Sequence, residues 1–364
     1  MKRKITILPG DGIGKEVTTE GKRVLEKIAE LFGHEFTFDE AAIGHDAIEA
    51  SNNPLPDETL NKLKNTDAIL FGAVGHPKYD NDPTLKVRPE QGLLKMRKEL
   101  GLYANLRPIK LFDELLHASS IKPEILKGAD ILFFRELTGD VYFGEKGRKD
   151  NDNTAYDLMI YHRYEIERIA HKAFKAAQSR KKKVTSVDKA NVLESSRLWR
   201  EVVQQVAKAY PDVTVEHQFI DSAAMKLIQN PRSFDVVLTG NLFGDILTDE
   251  ASQIAGSMGM LASASIGDTV GLYEPIHGSA HDITGKGIAN PLASILSASL
   301  LLDISFGLKE EANAIIQAVE GVLKAGFRTI DIADATTPQD KILNTQKMGD
   351  VILQELSNIT VPVA

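Results

Sequence analysis

Two aspartates, Asp245 and Asp249, stand four residues apart in Asn241–Ala255, a stretch with helical periodicity, so both side chains project from one face. Like charges at that spacing repel by a few tenths of a kcal/mol on a bare helix, and a divalent cation would reverse that repulsion. Carboxylate oxygens with no histidine or cysteine beside them suit Mg²⁺ or Mn²⁺ rather than zinc. Two solvated acids near a helix N-terminus, favoured by the dipole, explain the same pair, and its spacing alone leaves both readings open. A third acid, Asp221, sits where a strand gives way to a helix, the place where α/β folds hold ligands. Arg97, Arg107 and Arg135 fall near the ends of elements. Three guanidinium forks could grip two or three carboxylates bidentately, or could serve as ordinary surface ion pairs. Arg107 precedes Pro108, which fixes its backbone as extended. Lys189 follows a buried strand, Val184–Val187; desolvated there it could act as a base, and exposed it would be inert.

Strands and helices must alternate to position these groups. Lys4–Leu8, His34–Glu40, Ala68–Phe71, Asp130–Phe134, Val184–Val187, Val213–Phe219 and Asp235–Leu238 read as strands. Lys15–Phe32, Asp57–Lys64, Glu90–Leu100, His162–Ser179, Glu194–Ala209 and Asn241–Ala255 read as helices. The alternation predicts an α/β protein with mostly parallel pairing. Gly256–Asn290 is glycine-rich with little helical pattern and is expected to be a long functional loop. Asn290-Pro291 and Thr337-Pro338 are helix-start signals, the second for the last helix. Tyr142–Tyr161 is polar and is expected to leave the core as a β-arm. Trp199 falls on an apolar helical face and is assigned to the core.

Composition sets bounds. The 364 residues suggest two domains. The absence of cysteine excludes disulfides, thiolate metal sites and a cysteine nucleophile. Forty-three basic against 51 acidic residues give a net charge of −8, which disfavours nucleic acid and anionic membranes as partners. The apolar run behind the first lysines stops at Pro9-Gly10-Asp11, too short for a secretory signal. No apolar stretch approaches a membrane span; the longest candidate, Ile295–Ile304, holds serines and an aspartate. A cytoplasmic location is expected. Gly10-Asp11-Gly12-Ile13-Gly14 follows a strand and opens a helix, but Lys15 stands where a dinucleotide fingerprint needs its third glycine. Gly278–Gly287 fails as a phosphate loop, and Asp150-Asn151-Asp152 lacks the glycine and glutamate of a calcium loop.

Taken together, several segments resemble the β-decarboxylating dehydrogenases of 2-hydroxy acids, the isocitrate/isopropylmalate dehydrogenase family, from Ile5 almost to the C-terminus. The markers are Leu8–Gly14, Leu93–Leu100, Ala104–Pro108, Arg135–Gly144, Asp188–Val192, Gly240–Asp249 and Glu274–Ala280. Each is modest alone, and all in one order are highly specific. The resemblance implies a two-domain α/β fold that is not a Rossmann fold, with residues 1–103 and 256–364 in a cofactor-side domain. Residues 104–255 would form a second domain carrying the arm and the interface of a homodimer with shared active sites.

It further implies that Arg97, Arg107 and Arg135 grip the carboxylates of a malate skeleton. Asp221, Asp245 and Asp249 would hold Mg²⁺ or Mn²⁺, with Asp221 also meeting substrate. Lys189 would be the base for the hydroxyl and Tyr142 the acid that protonates the enol carbon; Lys189 and Asp221 would reach the partner's site. Leu93, Leu94 and Val192 would form an apolar pocket that fits an isopropyl group, with Glu90 near that group and the nicotinamide ribose, whereas burying isocitrate's third carboxylate beside leucine is costly. Gly75, Glu90, Glu274, His277, Gly278, Ser279, Ala280, Asp282 and Asn290 would border the nucleotide. Asp282 would accept hydrogen bonds from both ribose hydroxyls and repel a 2′-phosphate, favouring NAD⁺ over NADP⁺. The expected reaction is NAD⁺-dependent oxidative decarboxylation of 3-isopropylmalate, in leucine biosynthesis. An isocitrate, homoisocitrate or tartrate/malate enzyme, or a non-catalytic regulatory subunit, are the competing expectations. Two departures stand out: Lys15 and His281 occupy positions where the family usually has proline, and His281 is expected to loosen the adenosine loop.

Overall fold

Consecutive buried residues in a strand require cover on both faces, and this condition shapes most of the molecule. The computed structural model describes residues 1–82 and 84–359 and divides into two compact units, Met1–Leu102 with Gly256–Ala364, and Tyr103–Ala255. In chain order the strands are β1 (Lys2–Gly10), β2 (Glu35–Glu40), β3 (Ala68–Ala73), β4 (Ala104–Lys110), β5 (Asp130–Glu136), β6 (Lys146–Lys149), β7 (Thr154–Asp157), β8 (Lys183–Asp188), β9 (Thr214–Phe219), β10 (Val236–Thr239), β11 (Ala262–Ile266) and β12 (Gly271–Pro275).

In the first unit the order is β2-β1-β3-β12-β11, parallel except for the β11–β12 pair. All six residues of β3 are buried. The helix Gly14–Phe32 lays Val17, Val24, Leu25 and Ile28 into the core, the apolar stripe that its spacing predicts, and ends at left-handed Gly33. Ile295–Ile304 belongs to a helix and π-helical turn within this core, where Leu301 and Leu302 are fully buried. Among the described residues no helix is long and apolar enough to cross a membrane.

In the second unit the order is β4-β5-β10-β8-β9, with β4 antiparallel and the others parallel. The helices Arg163–Gln178 and Glu194–Ala207 pack together, as do Ile220–Gln229 and Asn241–Ala255. Trp199 is in the core and donates to Ser186 Oγ at 3.3 Å. The strands β6 and β7 pair only with each other, antiparallel, as the expected arm. Its turn places Asp150, Asn151 and Asp152 in the left-handed region, which Asp and Asn tolerate better than most residues. The calcium-loop look-alike is thus a hairpin turn.

Two readings need correction. Gly256–Asn290 is not one loop, because β11 and β12 lie inside it. The sequence ASASI of β11 is mostly small residues and GLYEP of β12 mixes glycine, an aromatic, an acid and proline, so neither has the branched apolar run that marks a buried strand. The last helix starts at Thr345, not after Thr337-Pro338, where there is only a short turn at Gln339–Lys341. Its cap is Asn344, whose side chain accepts from Lys347 N at 2.8 Å.

The Gly10–Gly14 motif is a packing device. Gly10 has φ +69°, and a Cβ there would lie 1.9 Å from the Ala73 carbonyl oxygen. A Cβ on Gly12 would lie equally close to Ser279 O. Gly33 has the same φ as Gly10 but open space around it. Gly10→Ala should therefore cost at least about 2 kcal/mol, from left-handed strain plus a backbone clash. Gly33→Ala should cost only about 1 kcal/mol, from the strain alone. Urea unfolding midpoints of the two variants check the difference.

Candidate active site

Antiparallel pairing builds the first cluster, which lies wholly in the second unit. Asn105 on β4 faces Arg135 on β5 and Arg107 faces Phe133, so both arginines share one face of the sheet. Each is nearly buried, and a buried guanidinium must be matched. Arg135 sends Nη1 to Asp245 Oδ1 at 2.5 Å, with Nε and Nη2 to Asn241 Oδ1 at 3.1 and 2.8 Å. Arg107 donates to Asn105 Oδ1 at 2.8 Å, Thr248 Oγ1 at 2.6 Å and Asp249 Oδ1 at 3.3 Å. The helix Asn241–Ala255 thus presents Asn241, Asp245, Thr248 and Asp249 to the two arginines.

Tyr142 completes this cluster. Its hydroxyl donates to Asp245 Oδ2 at 2.5 Å, and its ring lies 5.6 Å from the Arg135 guanidinium carbon. Burial, and then the hydrogen bond to the Asp245 carboxylate, push the phenol up to about 12. Burial pushes the Asp245 carboxyl up, but Arg135, Tyr142 and Arg107 outweigh it and hold it below the usual range. The site therefore contains a firmly protonated tyrosine touching a firmly ionised aspartate.

Asn241, Asp140 and Tyr161 were not singled out by the motifs' chemistry. Asn241 N donates to Tyr161 Oη at 2.7 Å, Tyr161 Oη donates to Asp140 Oδ2 at 2.9 Å, and Leu242 N donates to the same oxygen at 3.2 Å. These bonds satisfy the first amides of the aspartate helix and fix its rotation. The only sequence signal is the Thr-Gly-Asn junction before that helix, which reads equally well as an ordinary helix start.

A second cluster forms elsewhere in the same unit. Lys189 Nζ meets Asp221 Oδ1 at 2.7 Å, and this bond holds the Asp221 carboxyl below its ordinary range. Neighbouring Asp188 is buried and receives two bonds from Arg200, at 2.9 and 2.8 Å, which anchors the chain that carries Lys189. Val192 on the following loop is 61% exposed. Within one chain Asp221 is bonded to Lys189 while Asp245 and Asp249 are bonded to arginines, and no three potential ligands gather for a metal among the described residues.

The first unit holds the remaining candidates. Arg97 Nη2 pairs with Glu274 Oε1 at 3.1 Å, both side chains largely buried, so the Glu274 carboxylate is engaged by an arginine. Leu93 packs partly against the core and Leu94 is half-buried. A Cβ on Gly75 would lie 3.3 Å from both Glu90 Oε1 and Ser279 Oγ, so these three distant positions converge. Gly278 borders open space and Ala280 adopts φ +40°. Asp282 is exposed, and half-buried His277 contacts the Gly278 carbonyl at 2.9 Å. The Asn290 side chain is buried, with its amide nitrogen on Asp331 Oδ2 at 3.0 Å and its oxygen capping Leu292 N at 3.0 Å. His281 does not loosen its loop: its Nε2 bonds to the Gly75 carbonyl at 2.7 Å, a tether that a proline could not supply.

The isocitrate/isopropylmalate dehydrogenase family model matches residues 4–352. The chain belongs to the isocitrate/isopropylmalate dehydrogenase family. It is 55% identical to a 3-isopropylmalate dehydrogenase of Shouchella clausii over 361 residues, 98% of each chain. It is 52% identical to that of Bacillus subtilis over 366 residues, 99% of this chain and all of the other. An isocitrate dehydrogenase from Methylococcus capsulatus superposes with a TM-score of 0.85 at 32% identity, covering 97% of this chain and 99% of that one. A β-decarboxylating dehydrogenase from Thermococcus kodakarensis gives 0.80 at 35% identity, covering 98% and 96%. This family member is therefore a β-decarboxylating dehydrogenase, and the fold is the one its sequence motifs imply.

The raised phenol has a direct optical consequence. In an alkaline titration, the tyrosinate absorbance missing from Tyr142→Phe relative to wild type should appear only above about pH 11, not near the ordinary tyrosine value of about 10.

Proposed function

We propose that this enzyme converts 3-isopropylmalate and NAD⁺ to 4-methyl-2-oxopentanoate, CO₂ and NADH, a step of leucine biosynthesis in the cytoplasm. The observation that carries the chemistry is the chain Arg135–Asp245–Tyr142, an ionised acid held between a guanidinium and a protonated phenol. Oxidation of the hydroxyl by hydride transfer creates a β-keto acid, whose β-carboxylate then leaves. Arg97, Arg107 and Arg135 bind the two substrate carboxylates by charge and fork geometry. Lys189 takes the hydroxyl proton, through water. Tyr142, protonated at every working pH, delivers a proton to the enol carbon after CO₂ departs.

The hard oxygen donors of Asp245 and Asp249, one helical turn apart, fit Mg²⁺ or Mn²⁺ but supply only two residues. Asp221 from a second copy of the chain is the third. When bound there, the ion supplies positive charge that polarises the new carbonyl and absorbs the charge developed as CO₂ leaves. A homodimer is favoured by apolar side chains left in the open: Met225 and Ile228 on one helix, Ile246 on the helix packed against it, and Tyr156, Leu158 and Ile160 on or beside the arm.

Leu94 and Val192, with the exposed part of Leu93, receive the isopropyl group, and Glu90 lies beside it. The apolar character of the three aliphatic side chains favours that group over isocitrate's third carboxylate. On the cofactor side, Gly75, Glu90, Ser279, Gly278 and Ala280 allow close approach of the dinucleotide, His277 and Asn290 flank the adenosine end, and Glu274 acts through Arg97. Asp282, exposed and followed by Ile283 rather than by a lysine or arginine that would attract a 2′-phosphate, selects NAD⁺.

NADH should form from 3-isopropylmalate with Mg²⁺ and NAD⁺, faster than from isocitrate, homoisocitrate, tartrate or malate, and should stop on full chelation with EDTA. Activity that survives chelation refutes the ion's role, and faster turnover of isocitrate refutes the pocket. The shared site has its own test. Co-expression of Asp245→Asn chains with Asp221→Asn chains, each inactive alone, should restore about a quarter of wild-type activity, because a two-fold heterodimer retains one intact site. No recovery would mean that each site is built within one chain.

A further inference from the structure

Three histidines from separate segments of the first unit stand in a row. His45 opens the helix His45–Ser51, His76 caps the short helix Pro77–Asp80, and His281 begins the turn His281–Ile283. The rings of His45 and His76 stack with centroids 4.0 Å apart, and His281 meets His76 edge-on at 4.5 Å. Each is tethered: His281 Nε2 to Gly75 O at 2.7 Å, His45 Nδ1 to Tyr79 Oη at 3.1 Å, and His76 Nδ1 accepting from Lys78 N at 3.1 Å. Asp11, 2% exposed, accepts from Gly75 N at 2.9 Å and from His45 N at 2.8 and 3.0 Å. Gly75 is thus held at its amide by Asp11 and at its carbonyl by His281. Glu90 and Ser279 crowd the same residue.

We propose that His281, supported by His76, is a positioning residue for the dinucleotide: it fastens the 278–282 loop to Gly75, and the fastening weakens when the row takes up a proton. The inference rests on the reading of that loop as the NAD⁺ loop. A neutral imidazole with its proton on Nε2 donates fully to the Gly75 carbonyl. A second proton in the row places a cation against another imidazole with little solvent between them.

The charged and titratable groups around the row are Asp11, Glu90, neighbouring Asp282, Tyr79, Asp46 paired with Lys15, and Lys78 paired with Glu49, which also lies 3.9 Å from His45. Asp11, bonded to two backbone amides, opposes the lowering of His76 but is outweighed by burial and the two neighbouring imidazoles. Burial, followed by the neighbouring His45 and His281, lowers the basicity of His76. A histidine lowered in this way favours the packed row above its ordinary value near 6.5, and that preference is lost as the pH falls below it.

The test is NAD⁺ binding by calorimetry together with steady-state kinetics on the intact enzyme. His281→Phe keeps a ring and loses the donor, and should raise both Kd and KM for NAD⁺ about five- to tenfold, with kcat at saturation changed less than about twofold. His281→Gln restores a donor and should return Kd to within about twofold of wild type. Wild-type Kd should rise at least about threefold between pH 7.5 and pH 5.5, and His76→Gln should flatten that dependence. An unchanged Kd in His281→Phe, or no rescue by glutamine in a variant that unfolds at the wild-type temperature, overturns the inference, as does a pH-independent wild-type Kd. If Asp282→Ala weakens NAD⁺ while His281→Phe does not, the inference alone fails. If wild type binds no NAD⁺, or is indifferent to Asp282→Ala, the reading of the loop fails with it.

Discussion

A guanidinium 3% exposed to solvent is the constraint around which the second unit is arranged. Arg135 cannot be left unmatched at the end of a buried strand, because an uncompensated charge there costs several kcal/mol. Its match comes from one helix, through Asn241 at the first turn and Asp245 at the next. Those two contacts fix where the helix starts and which way it faces. That orientation brings Thr248 and Asp249 to Arg107 and brings Asp245 within reach of Tyr142. One electrostatic requirement thus sets the geometry of four other side chains, and the tyrosine's retained proton follows from it.

Much of this was legible from residue spacing. Asp245 and Asp249 had to share a face, and they do. Arg107 had to be extended by its proline, and it lies within β4. The helix Gly14–Phe32 buries the stripe its periodicity names. The roles of the arginines and of Tyr142 came only from several short segments taken in order, since each residue alone had an equally good structural explanation. What stayed hidden has physical reasons. Long-range hydrogen bonds such as Tyr161 to Asn241 span 80 residues and leave no local pattern. In the hairpin β11–β12 one strand is mostly small residues and the other holds glycine, glutamate and proline, so no branched apolar run marks it. His281 was misjudged because only its missing rigidity was visible, while its partner, the Gly75 carbonyl, lies 206 residues away.

The separation of Asp221 and Lys189 from the arginine–aspartate cluster is informative in its own right. Lys189 and Asp221 neutralise each other, and the Asp245/Asp249 pair is neutralised by arginines. Each half is electrostatically complete in the isolated chain, so neither demands the other for folding.

The contact of Gly12 with Ser279 has a mechanical meaning. Where backbone lies directly on backbone, no side-chain rotation can absorb a displacement. A shift of a few tenths of an ångström at Ser279 must pass into the turn at Gly12 and so into the start of a 19-residue helix about 28 Å long. Partway along, Glu20 and Arg23 couple that helix to Asp350 on the C-terminal helix. The first unit therefore contains a stiff rod with one end seated against the loop that carries Ser279, and a displacement of that loop would be felt as strain on the unit's opposite flank.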